Sequence, residues 1–252
     1  MKYMGSKSRI AKEIVPIIQH YVDEYKPLCY LEPFVGGANI IDKIKYKYKI
    51  GSDANKYLIG LLKHVQKDGE LLPEVSKELW NEVKSHPERF DDWKVGNVCF
   101  LASYNGRGFS GGYANKGIEH TSHGNVLRDY YAEAKRNLLN QAVNLKECTF
   151  ECWDYKTLNP MNCVVYCDPP YIKTKSYDVR LFNTVEFWEI MRCWSKNNIV
   201  LISEQTAPDD FEVIFEKKVH RTLGQNRPIV TEKLFKLTEG VKDGVERLQS
   251  DS

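Results

Sequence analysis

Asp168-Pro169-Pro170-Tyr171 follows the apolar run Val164-Val165-Tyr166-Cys167, and its residue types suit one particular kind of chemistry. Two adjacent prolines fix φ and remove two amide donors, so the backbone beyond Asp168 is rigid and offers only carbonyl oxygens. A carboxylate beside such a backbone accepts hydrogen bonds. Acceptors are what an exocyclic nucleobase amine such as adenine N6 requires, because its lone pair is delocalised into the ring. Holding both N–H groups favours the tetrahedral geometry in which the nitrogen attacks. Positive charge develops on that nitrogen as a methyl group arrives, and a hydrogen-bonded carboxylate stabilises it. Tyr171 adds a flat face on which an unstacked base can lie. A stiff turn after a strand can have the same four residues, so the tetrapeptide gains meaning only from the segments around it.

The elements that must position Asp168 alternate in type. Apolar Ile10, Ile14, Ile17, Ile18 and Tyr21 recur at helical spacing and predict a helix over Arg9 to Tyr21, capped by Ser8. Leu28 to Glu32 reads as a buried strand, Pro33 to Gly37 as a turn, Ala38 to Lys45 as a helix, and Tyr46 to Ile50 as a strand ending at Gly51-Ser52-Asp53. That is a βαβ unit, the start of a parallel α/β sheet. Gly36 and Gly37 would let its first turn approach a ligand closely, and an acid placed like Asp53, at the end of the next strand, holds ribose hydroxyls in α/β nucleotide sites.

From about Ala54 to Leu145 the pattern becomes helical, broken by a glycine-rich stretch from Asn105 to Gly117. Strand signals return at Thr149 to Cys152, Val164 to Cys167 and Ile199 to Ile202, with a helix over Val185 to Lys196. Phe211 to His220 and Glu232 to Leu237 read as an antiparallel hairpin joined by a basic loop with Arg221, Asn226 and Arg227, and the polar last dozen residues as a frayed end.

A chain of 252 residues with 42% hydrophobic content can bury a substantial core. Its net charge of +2 leaves any nucleic-acid affinity to local basic patches. No apolar run approaches the roughly 20 residues that span a bilayer, and Met1 to Lys7 lacks the apolar stretch of a secretory signal, so the expectation is a cytoplasmic protein without a membrane role. The seven cysteines are an odd number. Cys148, Cys152, Cys163 and Cys167 form two C-x3-C pairs, but both fall in strand-like segments where buried thiols are ordinary, and no metal is expected.

Asp168-Pro169-Pro170-Tyr171, Leu31-Glu32-Pro33-Phe34-Val35-Gly36-Gly37-Ala38-Asn39 and Tyr3-Met4-Gly5-Ser6-Lys7, in this order, resemble the Dam-type, D12-class DNA adenine-N6 methyltransferases. The resemblance covers nearly the whole chain. Ser6 and Ala38 stand where the family often has glycine. It implies an α/β, Rossmann-like methyltransferase sheet with an inserted, mainly helical target-recognition subdomain: catalytic segments 1–56 and 146–252 around an insertion 57–145. It implies S-adenosyl-L-methionine as cofactor, held by Tyr3, Lys7, Glu32, Phe34, Gly36, Gly37, Asn39, Asp53, Asp154 and Asp168. It further implies double-stranded DNA as substrate. A base inside a duplex must be extruded for chemistry, and the glycine-rich segment is the candidate to reach it. There Tyr104, Phe109 and Tyr113 would stack or wedge, and Asn105, Arg107, Asn115 and Lys116 would contact bases or phosphates, with Arg221 and Arg227 as further phosphate contacts. A dehydrogenase would share the sheet but needs the G-x-G-x-x-G fingerprint that is missing here. RNA adenine and DNA cytosine-N4 methylation are the nearer alternatives; aspartate rather than serine at 168 favours adenine.

Overall fold

The structure, a computed structural model, describes residues 1–121, 124–170, 182–220 and 229–238. A short 3-10 turn at Lys7–Arg9 leads into helix α1 (Ala11–Tyr25), which starts two residues later and ends four residues later than the apolar spacing predicts. Ser8 does not cap it. Instead the Ser6 hydroxyl accepts from the Ser8 amide at 3.2 Å and caps the 3-10 turn. Strand β1 (Cys29–Glu32) and strand β2 (Lys49–Ser52) pair in parallel, β2 lying three residues beyond its predicted start.

The helix expected over Ala38 to Lys45 is absent, and only a single 3-10 turn forms at Ile41–Lys43. The carbonyls that would begin a helix are used elsewhere. Gln141 Nε2 takes Ala38 O at 2.7 Å and Gly37 O at 3.1 Å, and Ala38 itself has φ +54°. Tertiary partners have displaced a helix that local pattern favoured.

Helices α2 (Lys56–Gln66), α3 (Lys77–Ser85) and α4 (Asp92–Gly96) follow, α4 running into a π-helical turn at Asn97–Leu101. Asn55 and Ser76 cap α2 and α3 through side-chain oxygens. Strands β3 (Lys116–Thr121) and β4 (Gly124–Asp129) then make an antiparallel hairpin that the polar, glycine-bearing sequence had concealed, before helix α5 (Tyr130–Ala142). The chain returns to the sheet with β5 (Cys148–Glu151), β6 (Cys163–Cys167), helix α6 (Thr184–Ser195), β7 (Ile199–Glu204), β8 (Phe211–His220) and β9 (Ile229–Leu237).

The large sheet is ordered β5-β2-β1-β6-β7-β9-β8. Its first five strands are parallel, and β9 and β8 form the expected antiparallel hairpin at the edge. Tyr30, Val164, Tyr166 and Leu201 point into one apolar layer with α1, α2 and α5. Leu31, Val165, Cys167 and Ile202 point into the other, against Phe187, Trp188 and Met191 of α6. Alternate residues of the same strands therefore seal both faces, which is the physical requirement of a parallel sheet. Val95, Val98 and Leu138, from elements between β2 and β5, belong to the first layer, so that excursion shares the sheet's core. From β1 the chain moves outward to β2 and β5, then returns to β6 on β1's other side. The strand ends at that reversal leave a crevice. Among the described residues no helix is long and apolar enough to cross a membrane.

Candidate active site

The carboxyl ends of β1, β2, β5 and β6 open into a cleft of about 630 Å³, a volume typical of small-molecule sites. Every residue expected to hold the cofactor lines it: Tyr3, Lys7, Glu32, Phe34, Gly36, Gly37, Asn39, Asp53, Asp154 and Asp168. Pro169 and Pro170 line it as well. Tyr171, Arg221, Asn226, Arg227 and the polar end lie outside the described residues.

The loop after β1 is built on the N-terminal segment. The Met1 amine donates to Asn39 Oδ1 at 3.0 Å and to Gln141 Oε1, and Asn39 Nδ2 donates to Met1 O at 2.9 Å and Ser6 Oγ at 2.8 Å. Serine at position 6 thus supplies an acceptor that glycine would not. Gly36 and Gly37 serve a close approach, made here by Tyr3: a Cβ on Gly36 would lie 3.0 Å from Tyr3 Cε1, and one on Gly37 2.8 Å from Tyr3 Cβ. Asp53 ties β2 to the same loop, accepting from Gly36 N at 3.3 Å and from Asn55 N at 3.0 Å. Burial raises its carboxyl, against the pull of those two amides.

Phe34 packs on Tyr155 with ring centroids 4.8 Å apart and on Phe182 at 6.4 Å, giving the cleft an aromatic wall. Asp154 is exposed and its Oδ1 accepts from Lys156 N at 3.0 Å, capping the turn that carries Tyr155. Glu32 is buried, accepts from Tyr30 OH at 2.6 Å, and is pushed well above the usual carboxylate range, mainly by burial.

At the end of β6, Asp168 Oδ1 lies 2.6 Å from Lys7 Nζ, whose side chain is 4% exposed. Burial raises the Asp168 carboxyl, and the Lys7 ammonium opposes that rise. Two carboxylates that sequence patterning had not nominated stand nearby. Glu204 ends β7, where position at a strand's carboxyl end was a usable signal. Glu232 on β9 comes within 3.8 Å of Lys7 Nζ, and nothing local marks it.

None of the described candidates for DNA contact lines this cleft, and they separate by environment. Tyr104, Asn105 and Lys116 are exposed. Arg107 and Phe109 line a smaller cavity of about 180 Å³ that shares Tyr3, Met4 and Asn55 with the large one, and the buried Arg107 Nε has no hydrogen-bond partner. Tyr113 and Asn115 are engaged by the fold: Tyr113 OH donates to Val75 O at 2.7 Å and Asn115 Nδ2 to the same oxygen at 3.1 Å. Phe109 and Tyr113 also pack on Trp80, at 5.5 and 6.1 Å between centroids. Among the described residues no group of three or more His, Cys, Asp or Glu could hold a metal ion.

A mainly parallel sheet with a hairpin edge and acids at neighbouring strand ends defines an α/β, Rossmann-like protein with a nucleotide-type cleft. The sequence profile of the D12 class N6 adenine-specific DNA methyltransferases matches residues 3–192, and the chain belongs to that family. It is 24% identical over 202 residues to the type II methyltransferase M.FokI of Planomicrobium okeanokoites, covering 71% of this chain and 30% of that protein. It is 29% identical over 158 residues to the DNA adenine methylase of Salmonella typhi, covering 57% of this chain and 56% of the relative. The matches thus span about a third and about half of the lengths of these relatives. Among solved structures, a putative RNA methyltransferase from Pyrococcus horikoshii aligns with a TM-score of 0.42 at 11% identity, over 94% of this chain and 85% of that one. A putative methylase from Haemophilus influenzae aligns at 0.34 and 14% identity, over 92% and 98%.

Proposed function

We propose that this protein transfers a methyl group from S-adenosylmethionine to N6 of adenine in duplex DNA, extruding the base to do so. The observation that carries the reading is that the Gly36-Gly37 loop, Asp53 and Asp168-Pro169-Pro170 meet in one cleft at adjoining strand ends in a chain of an adenine-specific family.

The residues fit this cofactor. Its ribose hydroxyls match the Asp53 carboxylate, its flat base matches the wall of Phe34 and Tyr155, and its cationic ammonium and sulfonium match the acids Glu32 and Asp168. When bound, it supplies a methyl group on a positively charged sulfur. Tyr3 and Lys7 close the cleft from the N-terminal side. Asp168 and the Pro169 carbonyl accept the two N6 hydrogens, draw the nitrogen lone pair out of the ring and stabilise the charge that builds there. Tyr171 stacks on the extruded base. Segments 1–56 and 146–252 carry this chemistry, and segment 57–145 reads the target. Exposed Tyr104, Asn105 and Lys116 suit contact with DNA, Arg107 offers a guanidinium with unused hydrogen-bonding capacity, and Arg221 and Arg227 engage phosphates. Phe109, Tyr113 and Asn115 shape that surface from behind.

Purified protein given labelled S-adenosylmethionine and duplex DNA should yield N6-methyladenine on nucleoside mass spectrometry. N4-methylcytosine instead, or transfer to RNA alone, would overturn the reading.

A further inference from the structure

Four ionisable side chains form one cluster, each from a different segment: Lys7 from the N-terminal turn, Asp168 from the end of β6, Glu204 from the end of β7 and Glu232 from β9. The side chains of Lys7, Asp168 and Glu232 are 4%, 20% and 14% exposed, so the cluster is largely withdrawn from water. Among the described residues, three carboxyl groups around one ammonium place more acids than cations where charge is costly. Glu204 records this: burial, with Asp168 and Glu232 adding and Lys7 and the Gln205 amide opposing, pushes its carboxyl up to about 7.

The same geometry sets a conflict for the reaction. Lys7 occupies Asp168 Oδ1 at 2.6 Å, yet that carboxylate is needed by the target amine. An ammonium there leaves Oδ2 for the incoming N–H but places positive charge beside the nitrogen on which positive charge must develop, which opposes the transition state. Turnover therefore favours a shift of Lys7 away from Asp168 and towards another carboxylate. Glu232 Oε2 is 3.8 Å from Nζ, so a shift of about 1 Å would bring it to direct charge-assisted hydrogen bonding. A lysine ammonium on its four-carbon stem covers that distance without backbone motion.

We propose, on the functional reading above, that Glu232 is a positioning residue that takes the Lys7 ammonium as the target amine engages Asp168. The ion pair then passes from Asp168–Lys7 to Glu232–Lys7 within one cluster, with no change in its total charge. Among the described residues, the ionisable groups that share an electrostatic interaction with Asp168 are Lys7, Glu32 on β1, Tyr166 and Cys167 on β6, Glu204 on β7 and Glu232 on β9. Among these, only Lys7 is a cation.

The test is Glu232→Gln, assayed as full-length protein on duplex DNA across pH. Lys7 should stay on Asp168, so kcat should fall about tenfold or more while KM for S-adenosylmethionine stays within about twofold. The acid limb of the kcat profile should move to lower pH, because Asp168 loses a negative neighbour and keeps its cation. Glu232→Asp should restore both. Unchanged kcat, or a kcat lowered only in proportion to lost folded protein with the acid limb in place, overturns the proposal. Should Glu232→Gln not fold, Lys7→Arg carries the test. Its guanidinium reaches both carboxylates at once and has nothing to exchange, so a wild-type kcat in that variant overturns the proposal as well. Wild-type protein that makes no N6-methyladenine overturns the functional reading itself, a result distinct from either of these.

Discussion

Replacing Glu204 with glutamine removes one charge from the buried cluster and keeps the side chain's shape, including the oxygen that accepts from Gln205 N at 2.8 Å. Glu204 is 5% exposed, and its carboxyl rises from 4.5 to about 7, chiefly through burial. A carboxyl with a raised folded-state value carries no penalty below pH 4.5, where folded and unfolded chains are both protonated. Stability is lost as pH climbs from 4.5 to about 7, because the unfolded chain ionises first, and above that the loss is constant. At 1.36 kcal/mol per unit, the loss comes to about 1 kcal/mol at pH 5 and about 3 kcal/mol at pH 8. Glu204→Gln should recover those amounts, and relief of Asp168 from a like charge acts in the same direction. For a chain of this length, the pH 8 gain corresponds to roughly 6–12 °C in Tm. Urea unfolding of both proteins at pH 5 and pH 8, followed by tryptophan fluorescence, measures it directly. Equal stability of the two proteins at pH 8, or a gain no larger at pH 8 than at pH 5, would refute the reasoning.

Asp168→Ala removes the acceptor for the target amine and should lower methyl transfer by about a thousandfold or more; retained turnover in a labelled-methyl assay would remove Asp168 from the catalytic role. Gly37→Ala places a Cβ 2.7 Å from Asn39 Nδ2 and 2.8 Å from Tyr3 Cβ, which forces the loop or Tyr3 to move. A stability loss of about 1–3 kcal/mol and at least tenfold weaker S-adenosylmethionine binding by calorimetry are expected, and wild-type affinity would show that the loop does not shape the cofactor site. Tyr113→Phe breaks the hydrogen bond to Val75 O and should cost about 1 kcal/mol of stability while leaving DNA-site preference as it was. A changed site preference, read by methylation mapping, would return Tyr113 to the DNA-contacting set.

Much of the site was legible because its signals are local. Asp168-Pro169-Pro170 announces a rigid acceptor loop from composition alone, and Asp53 is marked by its place at the end of the strand that follows the Gly36-Gly37 turn. The strands at β1, β6 and β7 were readable for the same reason, since an apolar run bounded by turn residues has few other uses. The helix expected after Gly37 shows where local pattern loses. Gln141, about a hundred residues away, takes the carbonyls of Gly37 and Ala38, and no window around Ala38 contains that partner. The β3–β4 hairpin was hidden because its few apolar residues, Ile118, Val126 and Leu127, are exposed among polar neighbours, leaving no alternation to read.

The sequence by itself determined the chemistry that this protein can offer: which residues accept hydrogen bonds, which loop is tight and which family the chain resembles. Only the tertiary structure decided the electrostatics and the division of labour. Tyr113 and Asn115 look like contact residues in one dimension and prove to hold the Val75 carbonyl. Glu204 and Glu232 look unremarked in one dimension and prove to surround Lys7. Residue type sets what a side chain can do, but burial and neighbours set its charge and its free valences, and both depend on segments that meet only when the chain folds.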